Sequence, residues 1–163
     1  MASELALTGA DKLLTHLPAF LLRRMYTRTR LDREILIDVR VQNGIRFILG
    51  SYVPMGEVWF TLTNFTNLGL KVREFSGEVH SEGRSHSIMS FYDRPLEIKR
   101  KQTAVIYTKC MLNEFQVARL KELKKQPEGY QIATIYVRAQ LDSKIGTIEC
   151  NPTIPDRAMI ILV

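Results

Sequence analysis

Apolar and polar positions alternate along most of this chain, and the alternation predicts β-strands. The clearest case is the stretch 56–72, where Val58, Phe60 and Leu62 share one face because successive strand side chains point to opposite faces. A polar turn at residues 64–67 interrupts the pattern, which then resumes. We therefore expect two strands here, joined by a turn.

The same alternation predicts a series of strands at residues 34–41, 45–49, 75–79, 87–92, 96–98, 104–111, 130–141, 145–150 and 158–163. Asn43-Gly44 predicts a hairpin between the first two of these strands. Short strands separated by turn residues are typical of an all-β fold, an antiparallel immunoglobulin- or fibronectin-III-like β-sandwich. Its core is predicted to include Phe60, Leu62, Ile135 and Val137.

One internal helix interrupts the strands. Asn113 is its predicted cap, and Gln116 stands three residues later, in the position of a capping box. The helix is predicted to reach Lys125, before a proline and a glycine. Its core-facing residues are predicted to be Phe115, Leu120 and Leu123.

A second helical segment is predicted at the N-terminus, from residue 3 to about residue 27, with a break near Pro18. Apolar residues at spacings of three and four form one stripe, which consists of Leu13, Leu14, Leu17, Phe20, Leu21 and Met25. Basic residues follow the stripe. We therefore divide the chain into an amphipathic basic extension, residues 1–30, and a sandwich domain, residues 31–163.

The apolar stripe of the extension needs a surface, because so short a helix has little stability alone. Three surfaces fit: its own sandwich or a partner subunit, a groove in a protein of a larger assembly, and an anionic membrane surface. The predicted partner-binding residues are Leu13, Leu17, Phe20, Leu21, Arg23 and Arg24.

The charge is mildly basic, with 23 Lys and Arg against 17 Asp and Glu and a net charge of +6. This balance permits an anionic partner. It does not favour nucleic acid, since the basic groups lack the interleaved aromatic residues of a stacking surface. No apolar run approaches the ~20 residues of a transmembrane helix, and no signal peptide is evident. We expect a cytoplasmic protein, compatible with attachment to a membrane surface.

Catalytic chemistry has little support in the sequence. Cys110 and Cys150 lie in strand-like stretches, which favours free, buried thiols. His80 and His86 flank a turn, but their spacing matches no zinc motif, and the turn predicts exposed histidines. Nucleophile elbows and phosphate-binding glycine loops are absent from the sequence. We predict a protein without enzymatic activity, cofactor or metal.

The order of elements resembles the late-embryogenesis-abundant type 2 family and its water-stress and hypersensitive-response (WHy) domain. The resemblance covers residues 35–163 and rests on Phe60-x-Leu62-x-Asn64, Leu68-x-Leu70-x-Val72, Gly77-Glu78-Val79 and Leu96-x-Ile98. It implies a fibronectin-III-like sandwich without catalytic apparatus. The predicted function is a binding or structural module, stress-protective by this resemblance and docked through its N-terminal helix. The alternatives are a scaffold subunit of a larger assembly and a peripheral membrane-surface protein.

Overall fold

The structure is a computed structural model that describes residues 17–40, 45–81, 87–93, 96–125 and 132–162. Three helices and ten strands lie in these ranges. The helices are α1 (Ala19–Met25), α2 (Arg28–Glu34) and α3 (Glu114–Lys124). The strands are β1 (Ile35–Val39), β2 (Ile45–Ile48), β3 (Met55–Asn64), β4 (Leu70–Ser81), β5 (Ser87–Asp93), β6 (Leu96–Ile98), β7 (Gln102–Met111), β8 (Ile132–Ser143), β9 (Gly146–Cys150) and β10 (Thr153–Leu162).

The strands form two sheets that pack as a sandwich. In sheet A, β3 lies between β7 on one side and β1 and β2 on the other. In sheet B, β4 and β8 are central, with β5 and β6 beside β4, and β9 beside β8. Strand β10 pairs first with β8 and then, in parallel, with β2, so it crosses from sheet B to sheet A. Every other pairing is antiparallel among the described strands. The predicted sandwich-like, mainly β fold is confirmed.

The predicted hairpin at Asn43-Gly44 is wrong. β1 pairs with β3 from Ile35–Asn64 to Val39–Phe60, and β2 continues along the same edge from Ile45–Val58. The two strands therefore run in the same direction. The physical reason is that β3 offers ten residues of hydrogen-bonding edge and a buried face, whereas a two-stranded ribbon buries little. Residues 41–44 lie outside the described part of the chain.

The core lies between the sheets, where the alternating pattern placed it. Phe60, Leu62 and Ile135 are fully buried and Val137 nearly so, which confirms the predicted core. The rings of Phe60 and Phe75 meet edge to face, with centroids 5.0 Å apart and planes at 66°. Because β3 and β4 belong to different sheets, this aromatic contact joins the two layers.

Helix α3 begins as predicted. The Asn113 side chain accepts a hydrogen bond from the Gln116 backbone N–H at 2.8 Å, and the Gln116 side chain accepts one from the Asn113 N–H at 3.0 Å. Leu120 and Leu123 are buried, but Phe115 is 60% exposed, so its predicted core position is wrong. Phe115 precedes Leu120 by five residues, which places it about 140° away around the helix.

The N-terminal region differs from the prediction that its helical segment ends near residue 27. Pro18 directly precedes α1, in agreement with the predicted break, and a further helix, α2, leads straight into β1. Leu22 and Tyr26 are buried in the same hydrophobic core as Leu31. The core therefore crosses the predicted boundary between residues 30 and 31, while residues 1–16 lie outside the described ranges.

Phe60→Ala is expected to lower the free energy of unfolding by ~3–5 kcal/mol, because it removes a fully buried ring from the contact between the sheets. Chemical denaturation measures this. Val105→Ala is the control, since Val105 is exposed on the neighbouring strand and should change stability by less than ~1 kcal/mol. Equal midpoints for Phe60→Ala and the parent protein would contradict the described core.

Candidate functional site

Helix α1 is held against one end of the sandwich by residues on one of its sides. Leu22 is buried in the core, and the Arg23 Nε donates a hydrogen bond to the Ile145 carbonyl at 2.8 Å. Ile145 lies in the turn between β8 and β9, where Gly146 takes a φ of +111° that favours glycine. The buried Leu22 side chain and the Arg23 guanidinium thus fix the orientation of α1 relative to sheet B.

Helix α2 is stabilised by charge pairs spaced one turn apart. Thr27 caps it, and Arg28 pairs with Asp32 at 3.2 Å. Arg30 pairs with Glu34 at 2.6 Å, and its guanidinium lies 4.5 Å from the centre of the Tyr26 ring. The hydrogen bond to Glu34 raises the pKa of Arg30. Arg30 therefore joins α2 to the residue that ends α1.

A buried polar network holds the crossover from β3 to β4 at this end. The Asn64 amide nitrogen donates to the carbonyls of Leu68 (2.8 Å) and Lys99 (3.1 Å). The Asn64 Oδ1 accepts from the Thr66 backbone N–H (3.0 Å) and hydroxyl (2.6 Å). Both side chains are fully buried. Tyr26 joins the crossover as well, since its hydroxyl accepts a hydrogen bond from the Asn67 N–H at 3.1 Å.

The outward face of α1 is apolar. Phe20, Leu21 and Met25 are 68%, 39% and 40% exposed, and Arg24 lies among them on the same side. Side chains three and four positions apart share one face of a helix, so these four residues form a continuous surface, the α1 face. The buried Leu22 lies on the other side of the helix.

The predicted partner-binding residues therefore have different surroundings. Phe20, Leu21 and Arg24 lie on the α1 face, whereas Arg23 is bonded to the β8–β9 turn. Leu17 precedes α1 and packs, partly buried, against the core. Leu13 lies outside the described residues. Whether any of them contacts a partner stays a prediction.

Two residues that position the site were missed from the sequence. Leu22 and Tyr26 were not assigned to the core, because the apolar stripe was drawn on the opposite face of the helix. Helix α2 was missed too, although Thr27 and the pairs Arg28–Asp32 and Arg30–Glu34 carry its signal: a cap followed by opposite charges at i and i+4.

Apart from the α1 face, the outer side of sheet B carries a cleft. A cleft of about 550 Å³ there is lined by residues that include Glu78, Tyr136, Arg138 and Thr153. Next to it, His80 is hydrogen-bonded to Glu78 at 2.8 Å and meets Tyr136 edge to face. His80 lies in β4 and is mostly shielded, unlike the exposed hairpin position predicted for it. His86 falls outside the described ranges.

No set of three metal-binding side chains converges within the part of the chain that the structure describes.

Cys110 and Cys150 are both free thiols, as predicted. Burial raises the pKa of Cys110, and it raises the pKa of Cys150 to about 11. At neutral pH both thiols are protonated, and a protonated thiol is a poor nucleophile.

None of the described helices has the length and apolar character needed to cross a membrane.

Replacing Asn64 by alanine is expected to lower the free energy of unfolding by about 3 kcal/mol or more, because buried groups of Thr66, Leu68 and Lys99 lose their hydrogen-bond partner. Asn67→Ala is the matched control. The Oδ1 of Asn67 is buried with no hydrogen-bond partner among the described residues, so its removal should cost far less. Thermal and chemical unfolding compare the stability of the two variants. An equal loss of unfolding free energy in both would refute the proposed contribution of the Asn64 network to stability.

Stability is expected to fall as the pH rises from about 9 to about 11. The pKa of Cys150 is raised from 9.0 to about 11 by burial, so the folded state keeps a proton that the unfolded state loses in this window. The loss attributable to this thiol is ~2–3 kcal/mol. Denaturation curves of the parent protein and of Cys150→Ala across this pH range measure the contribution of the thiol. Lysines and tyrosines titrate in both proteins, so their effect cancels in the difference. Parallel pH profiles would contradict the assignment.

Comparisons with known proteins give no family. No protein-family model and no curated protein matches the chain. Among solved structures, a Northeast Structural Genomics Consortium target is similar, with 11% identity, 78% of this chain and 89% of that chain covered, and a TM-score of 0.48. A protein from Archaeoglobus fulgidus shows 7% identity, coverage of 74% and 94%, and a TM-score of 0.43. The resemblance to the WHy-domain family therefore stays a prediction.

Proposed function

We propose that this protein is a non-enzymatic binding or structural module, in which the sandwich carries the α1 face to a partner surface. The observation that carries the proposal is the exposure of Phe20, Leu21 and Met25 on a helix anchored from its other side. If α1 served only to cover the sandwich, we would expect its large apolar side chains to face the core. Burying one such side chain stabilises the folded protein by about 1.5–3 kcal/mol.

The anchoring of α1 supports the same proposal. A docking surface works best when it is rigid before binding, because less conformational freedom is then lost in the complex. Leu22 in the core, Arg23 on the β8–β9 turn and Tyr26 on the β3–β4 crossover fix α1 at three points. The α1 face is thus presented in a defined orientation.

A second candidate, a scaffold subunit of a larger assembly, is favoured by the outer face of sheet A. Trp59 and Tyr107 lie side by side with ring centroids 4.9 Å apart, and Val105 and Met111 are exposed along the same strand as Tyr107. The Tyr107 hydroxyl donates to Glu57 at 2.6 Å. Aromatic residues and methionine are enriched in protein interfaces, so this face suits a contact between subunits.

The fibronectin-III-like topology, the WHy resemblance and a cytoplasmic location belong to the same proposal. The sandwich of two sheets agrees with the first of these. Stress protection rests on the sequence resemblance alone and would follow if the module binds client proteins or membranes during stress.

Photo-crosslinking tests the docking role of α1. Benzoylphenylalanine placed at Phe20 is expected to crosslink a protein or a lipid in cells that express the full chain, because this side chain lies on the α1 face. The control position is Phe115 on α3, which is equally aromatic and similarly exposed. Crosslinking at both positions alike, or at neither, would refute docking through α1.

A further inference from the structure

Three turns and the α1 face meet at one end of the sandwich, the end where β3 stops at Asn64. The register pairs Asn64 with Gln102 at the start of β7, and pairs Leu70 with both Ile98 and Ser143. The β3–β4 crossover, the β6–β7 turn and the β8–β9 turn therefore lie together. The Arg23 bond to Ile145 and the Tyr26 bond to Asn67 add α1 to this end, which we call the α1 end.

The α1 end is strongly cationic. Its exposed basic side chains are Arg23, Arg24, Lys71, Lys99, Arg100, Lys101 and Lys144. Glu97 and Asp142 flank Lys71 across the strands, and Glu34, whose backbone carbonyl is bonded to Phe65 of the crossover, is paired with Arg30. The Arg30–Glu34 pair is neutral, so the seven cations and the two carboxylates beside Lys71 leave a charge of +5 in this set. The α1 end is thus a basic surface.

The same end carries exposed apolar side chains and a cleft. Phe65, in the crossover, is 55% exposed, and the α1 face adds Phe20, Leu21 and Met25. A cleft of about 390 Å³ is lined by Lys71, Lys99 and Lys144 together with the carboxylates Glu97 and Asp142. Apolar side chains that project from a cationic surface fit the boundary between lipid headgroups and acyl chains. A purely ionic ligand would not need them.

We propose that the α1 end binds an anionic phospholipid surface, with the basic turns against phosphate and carboxylate headgroups and the α1 face among the upper acyl chains. This inference rests on the proposed docking role of α1 and names its partner. The charge of the end complements an anionic leaflet, which attracts Lys and Arg side chains near its surface. The contact is peripheral.

Co-sedimentation of the full chain with vesicles tests the proposal. We expect binding to phosphatidylcholine vesicles that contain phosphatidylserine, little binding to pure phosphatidylcholine, and weaker binding as salt is added. The double variant Lys99→Glu/Arg100→Glu should weaken binding by about tenfold or more. The control Lys121→Glu/Lys125→Glu makes the same charge change on exposed residues in and directly after α3 and should keep most of the binding.

The apolar part of the contact has its own variant. Leu21→Asp should weaken vesicle binding, while Met111→Asp should not, since Met111 is exposed at the opposite end of the sandwich, where β7 pairs with the first residue of β3. Thermal unfolding of each variant shows that it is folded. Equal loss in both charge-reversal variants, equal binding to neutral vesicles, or no binding to anionic vesicles would overturn the proposal. Binding to a single-stranded oligonucleotide but not to vesicles would overturn it in favour of nucleic acid.

The photo-crosslinking experiment separates this inference from the function on which it rests. A crosslink from position 20 to a protein, together with no vesicle binding, would leave the docking role intact and overturn the lipid partner. A crosslink from position 20 to lipid would support both. Free inorganic phosphate, added at constant ionic strength, should not displace the protein from vesicles if the lipid surface is the ligand.

Discussion

The buried amide of Asn64 is the constraint on which one end of this molecule depends. It lies where the chain leaves sheet A for sheet B, a place where backbone groups have no ladder partner. A buried, unpaired backbone group costs about as much as a lost hydrogen bond, so the crossover needs internal partners. Asn64 and Thr66 supply them, and Asn64 also reaches the carbonyl of Lys99 in another turn. One side chain thus fixes the relative position of two connections.

The helices depend on the position of that crossover. The Tyr26 hydroxyl accepts from the Asn67 N–H, and the Glu34 carbonyl accepts from the Phe65 N–H at 2.8 Å, so both ends of the α2 region are tied to the crossover. Arg30 links the two ends through its contacts with Tyr26 and Glu34. The exposed face of α1 is consequently held in place by contacts on the buried side of the helix, where Leu22 enters the core and Arg23 and Tyr26 make hydrogen bonds. The residues that form the exposed apolar surface of α1 are therefore different from the residues that hold the helix in place.

Period-two alternation predicted most of the fold correctly, because burial on one side of a strand leaves a local signature. The spacing of residues such as Val58, Phe60 and Leu62 is enough to indicate which face of their strand is buried. Strand pairing has no such signature: β1 and β2 share an edge of β3, and nothing near Asn43-Gly44 reveals that competing partner. The site was predictable in part, since the apolar spacing grouped Phe20 and Leu21. The direction that this face takes depends on Leu22, Arg23 and their distant contacts with the core and Ile145.

Strand β10 has a consequence for the order in which the molecule can assemble. Its first part pairs with β8, and its second part pairs with β2, more than a hundred residues earlier in the chain. Contacts at such long sequence separation slow folding, because the entropy of closing the loop is lost before the contact forms. During synthesis, sheet A can acquire β3 and β7 early, yet the edge of β2 stays unpaired on one side until β10 has left the ribosome. Until β10 has been made, the growing chain therefore exposes a strand edge that is open to other chains.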